Sequence, residues 1–140
     1  MTDNIIVSVA GIKMFDDCET IFDKLDRVLG KLEKPLKELV ISDENGISAI
    51  VRQYCKAREI KCRIIKTDWE NNGDLAAIKR NQELILNAKL VIIFTEPHDV
   101  YVNKFIDQAF ADRVHTKVFT VTKAQKSFEF KEEVVDDSKT

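Results

Sequence analysis

Glycine is scarce in this chain: there are four in 140 residues, and none sits in a G-x-G-x-x-G or Walker loop. No ready-made dinucleotide or P-loop site is therefore spelled out. Cysteine is scarce too. Cys18, Cys55 and Cys62 are odd in number and lack C-x-x-C spacing, so they read as reduced thiols filling the core rather than as ligands. His98 and His115 lie far apart, so the sequence offers no zinc set, and neither a metal nor a cofactor is expected. Neither sign of charge dominates. Twenty-two basic and 24 acidic residues give a net charge of −2, with a pI near 5.7. The two signs are interspersed, which leaves no electrostatic footprint for duplex nucleic acid. No apolar run approaches the ~20 residues a bilayer span requires, and the start "MTDN" lacks the character of a signal peptide. The expectation is a cytoplasmic protein with no membrane partner.

An apolar share of 44% and a charged share of 33% describe a globular chain, long enough for one domain with a real core. Short β-rich runs alternate with amphipathic helical patterns. Asn4–Ala10, Lys37–Ser42, Lys61–Ile65, Leu90–Phe94 and Lys117–Val121 are the strand candidates. They are continuously apolar, as strands covered on both faces should be. Cys18, Ile21, Phe22, Leu25, Val28 and Leu29 form a first helical stripe, with Asp16-x-x-Glu19 resembling a capping box. Ile47, Ile50, Val51, Tyr54 and Cys55 form a second, and Val102, Phe105, Ile106, Ala109 and Phe110 a fourth. The third helix runs from Ala76, with Ile78, Ile85 and Ala88 at core spacing.

Strict alternation of this kind predicts an α/β fold: a single three-layer Rossmann-like domain with a mostly parallel sheet of five or more strands, over residues 1–126. Residues 127–140 are expected as a C-terminal extension. It would begin as an edge strand or partner contact around Phe128 and Phe130 and then fray into an acidic tail.

Open α/β sheets bind ligands beyond the carboxyl ends of their strands, where strand order reverses. Three loops come into view: Ala10 to Asp17, Ser42 to Ser48, and Thr95 to Asn103. Each precedes a helix whose first amides attract anions. Gly11 and Gly46 allow close backbone approach or positive φ. The stretch "KTDWENNGDLAAIKRNQELI" adds a puzzle, because Asn81 shares the apolar stripe of its helix directly after Arg80. A buried amide without partners costs about 1–3 kcal/mol, so either the fold or a ligand must supply them.

These segments together resemble the SLOG superfamily of Rossmann-like domains, in its YspA-like branch. Gly11-Ile12-Lys13-Met14-Phe15-Asp16-Asp17 looks like the family's Gly-Ser-Arg-x-aromatic-x-Asp stretch, with lysine in the arginine's place. Asp68-Trp69, Gly73 and Arg80-Asn81 match its Asp-Trp, glycine and Arg-Asn constellation in type and spacing. Phe94 matches the end of its fourth strand. The glycine-rich loops have decayed: Ser42-Asp43-Glu44-Asn45-Gly46 keeps only the last glycine, and the Gly-Thr pair after Phe94 is absent. Ser42-Asp43 in place of Gly-Gly adds bulk and negative charge where a phosphate would approach. The resemblance spans roughly Ile5 to Val121 and implies a nucleotide-binding domain.

Non-catalytic binding, either sensing or sequestering, of a nucleotide or nucleotide-derived small molecule is therefore the expected function. The candidate contacts are Gly11, Lys13, Gly46, Asp68, Trp69, Arg80 and Asn81, and association as a homodimer is expected with them. Each residue also has a plainer role. Arg80 could pair with Asp68 or Asp74 while Asn81 ties down a loop. Trp69 could be a packing lid, Asp68 a loop cap, Gly46 a turn residue, and Lys13 a solvated surface cation. Glu96, His98 and Asp99 suggest an acid–base set, but spacing within a loop imposes no geometry. Two alternatives remain open. One is an N-glycosidic hydrolase with Asp68 or Glu96 as acid or nucleophile, although the Gly-Thr loop of hydrolytic relatives is missing. The other is a protein-interaction module with a vestigial pocket.

Overall fold

The computed structural model describes residues 4–124 and 127–135, with side chains described through residue 121. In chain order the elements are β1 (Ile5–Gly11), α1 (Cys18–Gly30), β2 (Leu36–Ser42), α2 (Ile47–Arg58), β3 (Cys62–Ile65), α3 (Trp69–Asn72), a 3-10 turn (Gly73–Leu75), α4 (Ala76–Ile85), β4 (Ala88–Thr95), α5 (Val100–Ala111), β5 (Thr116–Ala124) and β6 (Ser127–Val135). The sheet order is β3-β2-β1-β4-β5-β6. The first five of these strands run parallel, and β6 pairs antiparallel to β5 at the edge. This is the expected α/β domain with a mostly parallel sheet.

Strand order reverses between β1 and β4: the chain builds outward through β2 and β3, then crosses back to β4. Right-handed crossovers therefore put α1 and α2 on one face and α4 and α5 on the other. Both faces are covered, which is why Val7, Val9, Leu39 to Ile41 and Val91 to Phe94 are all buried. Ser8 is the polar interruption in β1, and its hydroxyl donates to the Leu84 carbonyl of α4, so the buried group is satisfied. The side chains of Phe128 and Phe130 and all of residues 136–140 lie outside the described residues. No helix among the described residues is long and apolar enough to cross a membrane.

Three local expectations need correction. The cap of α1 is Asp17, not Asp16: its carboxylate accepts from Thr20 N at 3.2 Å and Thr20 Oγ1 at 2.6 Å. Ile78 is 46% exposed, and Ala88 opens β4 instead of extending α4. The buried face of α4 is Ala76, Asn81, Leu84 and Ile85, rotated from the expected stripe because α5 approaches along the Asn81 side. Phe110 is likewise exposed, since α5 buries only Val102, Phe105 and Ala109.

On the other face, α1 is fastened to α2 by one carboxylate. Asp26 accepts from Tyr54 Oη at 2.6 Å and from Arg58 Nε and Nη2 at 3.2 and 3.0 Å. Arg58 first, then Tyr54, holds the Asp26 carboxyl below its ordinary range. A depressed folded-state pKa contributes stability that is present above the unfolded value and is lost as pH falls through the folded one. Wild-type stability should accordingly drop more steeply below about pH 4 than that of Arg58→Ala, as read by urea unfolding at a series of acid pH values.

Gly46 carries the sharpest steric demand. Its φ is +70°, and a Cβ there would lie 2.3 Å from the Ile12 carbonyl oxygen. Gly46→Ala should cost about 2–4 kcal/mol through strain and overpacking, measured as a lower urea midpoint with an unchanged m-value.

Candidate ligand-binding cleft

The loop after β1 is bound on two sides. Ile12 N donates to the Phe94 carbonyl at 3.0 Å, and Ile47 N, the first amide of α2, donates to the Ile12 carbonyl at 3.0 Å. The second contact requires two glycines. A Cβ on Gly11 would meet Phe94 O at 2.5 Å and Ile47 Cγ1 at 2.7 Å, and Gly46 lies against the backbone of Ile12 and Lys13. Both glycines thus serve close approach of backbone to backbone. With the loop held down, a cleft of about 160 Å³ opens between it, α4 and the start of α5. It lies beside the β1/β4 reversal, where an open sheet binds ligands.

Ala10, Leu84, Val102 and Phe105 form an apolar part of its lining, and Gly11 and Ile12 belong to the β1 side. The charged part comprises Lys13, Glu44, Arg80, Glu96 and Asp99, with Asn81 beside them. Met14 and Tyr101, 89% and 77% exposed, also border the cleft, and Lys13 Nζ stands 5.7 Å from the Tyr101 ring centroid.

The amide puzzle in α4 is solved by the protein itself. Asn81 Oδ1 accepts from Arg80 Nη2 at 2.9 Å and Nε at 3.3 Å, and its Nδ2 donates to Gln108 Oε1 at 2.9 Å. Arg80 Nη1 reaches Thr67 Oγ1 at 3.0 Å and Glu44 Oε2 at 3.3 Å. Its side chain is only 10% exposed. The guanidinium therefore ties together α4, the loop after β3 and the loop after β2. Its carboxylate partner is Glu44, not Asp68 or Asp74. Thr67 is in turn held by Asp43, through its amide at 3.2 Å and its hydroxyl at 2.9 Å.

Of the seven residues expected at the site, the fold brings Gly11, Lys13, Arg80 and Asn81 to the cleft. Gly46, Asp68 and Trp69 are not part of its lining. Asp68 caps α3, accepting from Asn71 N at 3.1 Å and Asn71 Nδ2 at 2.8 Å. Those bonds hold its exposed carboxyl below the ordinary range, the opposite of what a general acid needs. Trp69 is 57% exposed at the start of the same short helix, so it is no lid over the sheet. Glu96 and Asp99 line the cleft while His98, at φ +65°, does not. Asp99 is committed as the α5 cap, accepting from Val102 N at 2.8 Å.

Comparison with family models, with curated proteins and with solved structures finds no match to this chain. The site thus rests on its own geometry. Glu44 is the residue sequence reasoning passed over. It sat inside a loop chosen for its glycine, and no local pattern signals that a carboxylate two residues past β2 will meet a lysine from one loop and an arginine from a helix. Tyr101 and Met14 gave no signal either. Cys55 offers no chemistry here, since burial pushes its thiol up to about 12. Among the described residues, no group of three or more His, Cys, Asp or Glu could hold a metal ion.

Arg80→Ala would remove the donor that Asn81 Oδ1 accepts from and the more buried of the two cations on Glu44, which keeps Lys13 and Ser42. We expect a loss of about 2–4 kcal/mol in the ligand-free protein. Arg80→Lys should not restore it, because an ammonium cannot reproduce the fork on Asn81 Oδ1. Lys13→Ala, removing the exposed cation while Arg80 and Ser42 stay on Glu44, should stay within about 1 kcal/mol of wild type. Urea titrations of the three variants check the set.

Proposed function

We propose that this protein is a non-catalytic receptor for a nucleotide or nucleotide-derived small molecule, acting as a sensor or a sequestering protein. The observation that carries this reading is the cleft at the β1/β4 reversal, part apolar and part charged. The similarity of its Asp68-Trp69, Gly73 and Arg80-Asn81 constellation to the SLOG pattern supports the same class of ligand. A cavity of about 150 Å³ holds one benzene-sized ring. The 160 Å³ available therefore suits a base or a pentose, with the remainder of a nucleotide extending past Met14 and Tyr101. Binding energy in this reading comes from burying one ring face on Leu84, Val102 and Phe105, with Tyr101 contributing from the rim. Arg80 and Asn81 act chiefly by holding the wall in place.

One observation favours a second reading, N-glycosidic hydrolysis: Glu96 lines the same cleft. That reading requires release of free base from nucleoside monophosphates. Chromatography showing no base across the common nucleotides rejects it.

A thermal-shift panel of nucleosides, nucleotides, cyclic nucleotides and ADP-ribose-type molecules tests the main reading. At a hundredfold excess over Kd, a true ligand should add about 2.7 kcal/mol of stability. Tyr101→Ala, at a residue too exposed to matter for folding, should weaken binding of that ligand by about 1–3 kcal/mol through lost stacking. No shift with any member of the panel, or an unchanged affinity in Tyr101→Ala, counts against the site as drawn and toward a protein-interaction role.

A further inference from the structure

We infer that Glu44 is a built-in anion occupying the position between Lys13 and Arg80, so that the cleft accepts the uncharged sugar–base part of its ligand and keeps phosphate outside. This deepens the reading of the cleft as a small-molecule site and rests on it.

The geometry is specific. One oxygen, Glu44 Oε2, stands 3.2 Å from Lys13 Nζ and 3.3 Å from Arg80 Nη1. An oxygen of a bound phosphate would take the same place between the same two cations. The Glu44 side chain is largely buried and positioned from behind: Ser42 Oγ lies 3.1 Å from Oε1 and accepts from the Glu44 amide at 3.3 Å. Ser42 meets Ser48 Oγ at 2.9 Å, so the arrangement is anchored on α2. Arg80 has further commitments to Asn81 and Thr67, which limit its freedom to turn toward a guest.

The other cationic features near the cleft are also answered by the protein. The first amide of α2 is taken by the Ile12 carbonyl, and the N-terminus of α5 is capped by the Asp99 carboxylate. The lining has three carboxylates, Glu44, Glu96 and Asp99, against two cations. An incoming phosphate meets net negative charge and would have to displace Glu44. Hydroxyl groups meet no such barrier, because carboxylate oxygens accept from them. A ribose, rich in donors and free of charge, fits these terms. Lys13 is the exposed member of the trio, and it can meet a phosphate only from the solvent side.

The test uses inorganic phosphate, adenosine and AMP as probes, titrated calorimetrically into wild type and Glu44→Gln. Removing the charge while keeping the shape should leave the Lys13–Arg80 pair without its counter-charge and make the side chain easier to displace, so Glu44→Gln should bind inorganic phosphate at least roughly tenfold tighter than wild type. Wild type should bind adenosine and AMP within about threefold of each other, and Glu44→Gln should shift that balance toward AMP. No gain in phosphate affinity on Glu44→Gln, or a wild type that prefers AMP over adenosine by more than about tenfold, overturns the inference. The two levels separate cleanly. If adenosine and AMP both fail to bind while Glu44→Gln gains phosphate, the nucleotide reading falls and the role of Glu44 stands. If adenosine binds while Glu44→Gln gains no phosphate, the reverse holds. Glu44→Gln weakens a partner of Arg80, so a melting curve of the ligand-free variant comes first. Should it not fold, Glu44→Asp withdraws the carboxylate by one methylene and should show a smaller phosphate gain in the same titration. No gain there overturns the inference equally.

Discussion

Ile47 N donating to the Ile12 carbonyl is the contact on which the cleft depends. It fixes the loop after β1 onto the first turn of α2, and it is possible only because Gly11 and Gly46 carry no Cβ. The remaining geometry is set by that one approach. Lys13 comes within reach of Glu44, Met14 is left at the edge of the cleft, and α5 forms the opposite wall. It also uses the first amide of α2, a group that in other α/β proteins faces a ligand phosphate. Close backbone packing and anion capture compete for the same atoms, and here packing has taken them.

The charged groups around the cleft form a connected chain: Asp43 to Thr67, Thr67 to Arg80, Arg80 to Glu44, and Glu44 to Lys13. It joins four separate segments of the backbone: the loops after β1, β2 and β3, and helix α4. Arg80 is its centre, and a nearly buried guanidinium is tolerable because Asn81, Thr67 and Glu44 each present an oxygen to it. Residues that would serve a ligand in an open site here hold the walls of the cleft together. The cleft walls are held by these ion pairs, and in the binding role proposed above selectivity and rigidity would come from the same bonds.

Much of the fold was legible in the order of residues. Continuous apolar runs such as Leu90–Phe94 mark strands covered on both faces, and the stripe Ile47, Ile50, Val51, Tyr54, Cys55 is buried throughout. Where the reading slipped, the cause was a neighbour that sequence spacing does not reveal. Ile78 has the right period to be buried, yet Gln108 of α5 meets α4 at the Asn81 side chain and the Ile78 carbonyl, and the Ile78 side chain is left half in solvent. Asp16 and Asp17 are both plausible caps, and the choice went to the side chain that reaches the Thr20 amide. Glu38 is a charged residue buried inside a strand: Arg63 on β3 pairs with its Oε1 at 3.1 Å, while its Oε2 is buried without a hydrogen-bond partner.

The sequence by itself determined the α/β class, a mostly parallel sheet of five or more strands and the end of the sheet at which a cleft would form. These depend on hydrophobic period and on connection chirality, which are local or universal. Only the tertiary structure decided which residues share that cleft. Asp68 and Trp69 look like site residues in a line of text but lie outside the cleft lining on their own short helix, while Glu44, Met14 and Tyr101 arrive from two loops and a helix. Electrostatic pairing acts through space over a few ångströms, and no spacing along the chain encodes which lysine and which arginine a given carboxylate will meet.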